Sequence, residues 1–227
     1  MRRSKSYLEK KQKLRAASAP LHLQEAVRLI KQVAREWETV DLAVRLGVDP
    51  RKADQNVRGT ITLPHGTGRS PRVAVFAKGE KVAEARQAGA DLVGLEEIIE
   101  QVKQGTIEFD LAIATPDVMK EVSQVAKILG PRGLMPNPKS GTTTFDIATA
   151  VKEFKAGKIN FRVEKAGIIH AAVGKGSFEE SQLLENIQFL LAEINRLRPA
   201  SAKGLYVRSI AISATQSPSV RVDPLAV

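Results

Sequence analysis

Cysteine is absent from the 227 residues, which excludes disulfides, thiolate metal sites and thiol catalysis and fits a reducing compartment. Aromatic residues make up only 4% of the chain, too few for a broad platform of base-stacking rings. No apolar run approaches the roughly twenty residues that a membrane helix needs. Met1-Arg2-Arg3-Ser4-Lys5 has the outline of a signal n-region, but Tyr7-Leu8-Glu9-Lys10-Lys11 supplies no apolar segment behind it. The chain therefore reads as cytoplasmic, without a membrane partner. The three histidines, His22, His65 and His170, show no metal-ligand spacing, and no metal or other cofactor is expected.

What is present begins with 43% apolar residues, enough for packed cores, and an organising stretch from Gly59 to Gly68. Ile61 and Leu63 alternate with Thr60 and Thr62, the period of a half-buried strand. Pro64 then removes a backbone donor, and Gly66 and Gly68 admit unusual dihedrals. Arg72-Val73-Ala74-Val75-Phe76-Ala77 switches to a continuous apolar run, the style of a parallel strand covered on both faces. The matching exit is Ala156-Gly157-Lys158-Ile159, where a helical pattern ends in a glycine cap and an alternating strand resumes. One domain is thus inserted into another. The discontinuous domain is residues 1–67 plus 159–227, the insert is residues 68–158, and Gly66, Gly68 and Gly157 are the hinge positions.

The expected elements give each domain a class. In the discontinuous domain, apolar residues at 26, 29, 30, 33, 34 and 37 mark a helix from Leu23 to Trp37, followed by a strictly alternating strand from Thr39 to Leu46. Ile159–Val163 and Ile168–Val173 flank a hairpin turn, Ser177 opens a long helix through a capping box, and Leu205–Ser213 is the last long strand. The result is a two-layer α+β domain. The insert alternates strands and helices, as a three-layer, Rossmann-like α/β domain does. Within it Thr115 is expected as the N-cap of a continuous helix from Val118 to Leu129. Gly130 to Gly141 is too rich in proline and glycine for regular structure.

Charge divides the same way. The discontinuous domain carries 22 Lys and Arg against 13 Asp and Glu, a net +9, whereas the insert carries 13 against 12, a net +1. Nearly all of the +10 therefore sits on one domain, the footprint of a polyanion binder. Its first fifteen residues form a basic arm, Arg2, Arg3, Lys5, Lys10, Lys11, Lys13 and Arg15 against Glu9, which reads either as a solvated helix or as a segment that folds onto phosphates.

Catalysis finds little support. The turn after the first insert strand, Lys78-Gly79-Glu80, lacks the glycine fingerprint for a dinucleotide, and Gly174-Lys175-Gly176-Ser177 lacks the spacing of a phosphate loop. Asp110 and Asp117 are placed near the carboxyl ends of sheet strands, where turn and capping duties explain them. An enzyme acting on a nucleotide through the insert, and a DNA-binding regulator, stand as alternatives. Short polar side chains on strands, Thr39, Asp41, Ser209 and Ser213, suit 2′-hydroxyls and base edges, which points to RNA rather than duplex DNA.

Four stretches carry a resemblance: Leu46 to Gly59, Leu63 to Gly68, Ala114 to Met119, and Gly130-Pro131-Arg132-Gly133-Leu134-Met135-Pro136-Asn137-Pro138-Lys139. Together they resemble the universal L-one family of bacterial large-subunit ribosomal proteins, in order and over nearly the whole chain. The resemblance implies a non-catalytic constituent of the large ribosomal subunit, a monomer within the ribosome. Such a protein binds large-subunit rRNA at the mobile side stalk next to the exit-site tRNA, assists tRNA release, and represses translation of its own messenger RNA. It implies rRNA contacts at Arg35, Thr39, Asp41, Lys165, His170, Ser209 and Thr215, with Gln216, Ser217 and Pro218 completing the turn. The basic pair Arg51 and Lys52 joins the candidate set. Two departures stand out. The family's Lys-Phe pair is Arg35-Glu36 here, with the aromatic displaced to Trp37. Its Thr-Met-Gly-Pro turn is Thr215-Gln216-Ser217-Pro218, where serine for glycine strains the turn if a positive φ is needed.

Overall fold

The computed structural model describes residues 4–14 and 20–224, so Arg2, Arg3 and Arg15 of the basic arm lie outside the described residues. The chain divides into two compact units, residues 1–69 with 159–227 and residues 70–158.

The first unit is built on a four-stranded antiparallel sheet. Its strands are β1 (Thr39–Leu46), β7 (Ile168–Lys175), β8 (Val207–Ala214) and β9 (Val220–Val222), in the order β7-β1-β8-β9. A separate pair joins β2 (Arg58–Thr62) to β6 (Lys158–Arg162). Strict alternation in β1 sends Val40, Leu42, Val44 and Leu46 into the core, all at most 2% exposed. There they meet Ala26, Val27 and Ile30 of α2 (Leu23–Val33) and Leu183, Ile187, Leu190 and Ile194 of α8 (Glu180–Arg196). Helices cover one face of the sheet, and the other face is left to solvent.

Local chemistry corrected several helix ends. α2 stops at Val33, and Trp37, expected on its buried face, is 57% exposed. The chain must leave the helix by Ala34 because Glu38, next to β1, is wholly buried. The capping box of α8 is formed by Glu179 and Gln182, not by Ser177. Ser177 is instead held in a tight turn, its amide donating to the Glu36 carbonyl while the Phe178 amide donates to that of Lys175. Gly176 in this turn has no substitute: a Cβ there would stand 2.2 Å from the Arg35 carbonyl oxygen. The glycines that resembled a phosphate loop are thus packing glycines.

The basic arm is a docked helix where it is described. α1 (Lys5–Lys13) is capped by Ser4, whose hydroxyl accepts the Tyr7 amide. The Lys10 ammonium donates to both oxygens of Glu38, at 2.8 and 3.0 Å, with Lys10 8% exposed. A second buried polar group, Asn186 of α8, accepts the His65 amide at 3.1 Å and donates to the carbonyls of Gly66 (3.0 Å) and Val173 (2.8 Å). The segment after β2 is thereby tied to α8 and, through Val173, to β7.

The second unit has a parallel sheet of β3 (Val73–Phe76), β4 (Leu92–Gly94) and β5 (Leu111–Ala114), in the order β4-β3-β5. β3 is buried on both faces. Ala74 and Phe76 pack with α4 (Glu96–Lys103) and the segment from α5 (Met119–Val122) to α6 (Ala126–Leu129). Val73 and Val75 pack with α3 (Glu80–Gln87) and α7 (Ile147–Lys155). The expected continuous helix from Val118 is broken into α5 and α6 by tighter turns, and the Ser123 hydroxyl binds the Lys120 carbonyl at 2.6 Å in competition with the helical ladder. Thr115 makes no side-chain cap; it is 3% exposed, and its carbonyl closes a short turn onto Val118. Asp110 lies at the amino end of β5, not at a carboxyl end, and accepts the Arg72 amide at 3.1 Å. The proline-rich loop folds about buried Thr142, whose hydroxyl accepts the Asn137 amide at 2.8 Å, and then adds Thr143 as a parallel bridge beside Ala114.

Two substitutions test these anchors. Lys10→Met strands the Glu38 carboxylate in the core and lowers stability by about 3–5 kcal/mol. Adding Glu38→Leu recovers most of the loss, as thermal and denaturant unfolding of both variants will show. Asn186→Ala leaves three main-chain groups without their partner and costs about 2–4 kcal/mol in the same measurements.

Candidate nucleic-acid interface

With its even positions committed to the core, β1 must present Thr39, Asp41, Ala43 and Arg45 on the opposite face. Register then assembles a surface from distant parts of the chain. Asp41 stands opposite Ala172 on β7 and Ser213 on β8, Ala43 opposite His170 and Ala211, and Arg45 opposite Ile168 and Ser209. β9 adds Arg221 beside Ala211. Candidate residues Asp41, His170 and Ser209 therefore share one face, together with Ser213.

The electrostatics of that face are mixed. His170 and Ser209 are exposed, and His170 Nε2 lies 3.4 Å from Glu164 Oε1. Asp41 is half-buried, and its burial raises the carboxyl pKa above the ordinary 3.8 against the opposing pull of His170 and Lys175. A surface of short donors and acceptors with cations close by is suited to sugar hydroxyls and phosphates rather than to stacked bases.

At the end of the sheet where β1 starts, candidate residues are already laced together. The Thr39 amide donates to Thr215 Oγ1 at 3.1 Å, and the Thr215 amide returns a bond to the Thr39 carbonyl at 3.0 Å. Lys175 donates to Thr39 Oγ1 and to the Trp37 carbonyl, both at 3.2 Å. Thr39, expected as a surface donor and acceptor, is thus engaged within the protein. In the turn after β8, the Ser217 hydroxyl accepts the Ala214 amide at 2.8 Å and its own amide donates to the Ala214 carbonyl at 3.0 Å. No residue other than glycine has a positive φ among the described residues, so the strain anticipated at Ser217 does not arise. Gln216 is exposed and Pro218 half-buried. Arg35 is exposed, its guanidinium 5.8 Å from the Trp37 ring centroid, so the displaced aromatic sits on the surface as half of a cation–π pair.

At the other end of β1 the candidates are cations on loops. Arg51 and Lys52 are exposed in the connection from Gly47 to Val57, and Lys165 is exposed in the turn from Glu164 to Gly167. The expected hairpin is not formed there: β6 pairs with β2 and β7 with β1, leaving the turn the isolated Val163–Ile169 bridge, while Gly167 donates to the Glu164 carbonyl and its own carbonyl receives the Leu46 amide at 2.8 Å. The hinge candidates Gly66, Gly68 and Gly157 have φ of 64°, 68° and 104°, values that favour glycine.

Sequence reasoning passed over Lys175. Ile169, Ala171 and Val173 are buried, so simple alternation turns residue 175 inward. A register shift opposite Val40 and Asp41 leaves Val173 without its own partner and changes the parity. Gly174, beside that shift, is the sequence signal that could have marked the bulge, since a glycine within a strand often sits at one. Lys203 and Arg208 were also missed, one on a loop and one at a strand end, where periodicity says nothing.

Residues 24–218 match the model of the ribosomal protein L1p/L10e family. The chain belongs to this family. It is 59% identical over 202 residues to the large ribosomal subunit protein uL1 of Corynebacterium diphtheriae, covering 88% of this chain and 86% of that protein. It is 53% identical over 228 residues to the protein of the same name from Frankia casuarinae, covering 99% and 94%. For that from Nitratidesulfovibrio vulgaris the identity is 55% over 206 residues, covering 90% and 88%. L1p/L10e proteins are structural ribosomal proteins and not enzymes, and membership accounts for the mixed α/β architecture with several sheets.

Asp41 gives the interface a pH signature. Its carboxyl ionises at higher pH in the folded protein than in the unfolded chain, so folding loses stability as pH rises from about 4 through the raised value. Asp41→Asn removes that loss. Its melting temperature should exceed that of the unaltered protein at neutral pH, with the gap closing below pH 4.

Proposed function

We propose that the protein is a constituent of the large ribosomal subunit that binds large-subunit rRNA through the solvent face of β7, β1 and β8. The reading puts it in the cytoplasm, as a monomer within the ribosome, at the mobile side stalk next to the exit-site tRNA, where it assists tRNA release. It also makes the protein a repressor that binds its own messenger RNA through the same surface. The observation that carries the reading is that Asp41, His170, Ser209 and Ser213, spread over three successive cross-strand rows, share one face of an uncovered sheet within the strongly basic part of the chain. The names of its relatives, all large ribosomal subunit proteins, support the same partner.

In this reading the discontinuous domain, residues 1–67 plus 159–227, holds the RNA. Asp41 accepts from ribose hydroxyls or base amines, His170 and Ser209 donate or accept at the sugar edge, and Arg35, Arg51, Lys52 and Lys165 neutralise phosphates around them. Thr39 bonded to Thr215, and Ser217 bonded to Ala214 and Pro218, form an edge whose bonds exist before the RNA arrives, and Gln216 stands exposed on it. Gly66, Gly68 and Gly157 serve as hinges for the insert, residues 68–158.

The test is binding of a stalk rRNA fragment, and of DNA with the same sequence, to the full chain across a salt series. RNA should bind at least tenfold more tightly than DNA, with log affinity falling linearly in log salt. His170→Ala with Ser209→Ala should weaken RNA binding by about tenfold, leaving DNA binding and the melting temperature in place. Equal affinity for RNA and DNA overturns the reading in favour of a DNA-binding regulator.

A further inference from the structure

Beside Lys52, already a candidate, two further cations that no sequence motif singled out, Lys203 and Arg208, line one basin. This basin of about 430 Å³ opens beside the connection that follows β1, lined by Lys52, Lys203 and Arg208 together with Asp49, Gln55 and Ser201. We propose that this basin seats a phosphate of the RNA backbone, a contact separate from the polar groups on the sheet face. The proposal rests on the RNA-binding reading and adds a phosphate site at the end of the sheet where β1 finishes and β8 begins.

The walls of the basin are fixed by bonds that leave these cations unspent. Gln55 is buried, and its side chain accepts the Asp49 amide at 2.8 Å while donating to the Ser201 carbonyl at 3.4 Å. Arg198, another cation of the same region, is consumed by structure: it donates to the carbonyls of Ala202 (3.2 Å) and Gly204 (3.1 Å) and lies 5.7 Å from the Tyr206 ring centroid. Tyr206 anchors the loop from below, its hydroxyl donating to the Ile194 carbonyl at 3.1 Å. Arg208 leans over Gly47, where an added Cβ would stand 3.2 Å from its Nε. Lys203 and Arg208 hold no ion pair among the described residues, and both are exposed. Lys52 feels the field of Asp54, whose carboxyl is held below its ordinary pKa chiefly by the Ser201 hydroxyl. Asp49 spends one oxygen on the Arg51 amide at 3.2 Å.

Arg51, Lys52, Lys203 and Arg208 outnumber Asp49 and Asp54, so the region keeps a positive field that its own carboxylates do not cancel. The occupant is a backbone phosphodiester because the donors left for it are the side chains of Lys52, Lys203 and Arg208. A free phosphate is typically gripped by converging backbone amides, as at a helix N-terminus or a nest, but here the amides of Gly47, Asp49, Lys52 and Gln55 are already spent within the protein. A phosphodiester instead arrives held by its neighbours, and side-chain cations suffice.

The experiment compares the full chain, Lys203→Gln/Arg208→Gln, and the sheet-face variant His170→Ala/Ser209→Ala, each titrated with the stalk rRNA fragment and its DNA counterpart over a salt series. Removing the two cations should flatten the slope of log affinity against log salt by about 1, the contribution of one phosphate. It should weaken RNA and DNA binding alike by about tenfold at low salt. The sheet-face variant should do the converse, lowering RNA selectivity with the slope intact. An unchanged slope in Lys203→Gln/Arg208→Gln, at an unchanged melting temperature, overturns the phosphate site while leaving the sheet-face reading standing. If the unaltered protein does not bind the fragment, that reading fails by itself. The slope difference is then measured on a polyuridylate oligonucleotide, where it still decides for or against the basin.

Discussion

Everything in the first unit depends on the pairing of β1 between β7 and β8. Each of those ladders joins residues more than a hundred positions apart, so the sheet exists only when both ends of the chain have come together. The pairing also fixes the polarity of the surface. Once Val40, Leu42, Val44 and Leu46 are committed to α2 and α8, a slip of one residue would bury Asp41 and Arg45 and expose the core set, so the register is held by the hydrophobic effect itself. The face that collects Asp41, His170 and Ser209 is the by-product of that commitment.

A sheet closed by its own termini leaves its middle free to carry an insertion, provided the crossing points are tied down. Asn186 does this on the entry side. One buried amide satisfies the backbone at His65 and Gly66 and at Val173 of β7, joining the end of the β2 segment to the long helix and the sheet at once. The positive φ values begin within that clamp, at Gly66, whose carbonyl Asn186 holds, and recur at Gly68. Gly68 is closely packed as well: an added Cβ there would stand 2.8 Å from Lys175 Cγ and 2.8 Å from Phe178 Cε1, so contact and conformation together require glycine.

Much of this was legible in residue patterns. The alternation of β1 and the unbroken apolar run of β3 announced two kinds of sheet, and the break at Pro64 to Gly68 announced the crossing between them. What failed was local and polar. Ser177 looked like a helix cap, but its amide is engaged by Glu36 three-dimensionally, through a turn that exists only because Gly176 can press against Arg35. Trp37 fitted the helical period, yet the period could not reveal that neighbouring Glu38 dives into the core to meet Lys10. Lys175 was hidden by a bulge, which shifts parity. Pairing partners far away in sequence decide such details, and periodicity carries no information about them.

The charge asymmetry between the halves of the chain shows the same limit from another side. A net +9 suggests a uniformly basic surface, but many of those cations already have work within the fold. Lys10 neutralises Glu38, Arg198 holds loop carbonyls, Lys31 donates to the Phe178 carbonyl, and Lys175 bridges Trp37 and Thr39. Three of these four duties lie near the start of β1, and only Arg198 serves the region of the basin. The cations with fewer such ties, Lys52, Lys203 and Arg208, stand at the opposite end of the strand. Counterion release depends on charges that can reach a phosphate rather than on charges in total. The sheet is therefore electrically graded along β1, from an internally bonded edge to an open basic rim, and a polyanion laid along the face would meet shape and hydroxyl contacts at one end and phosphate neutralisation at the other.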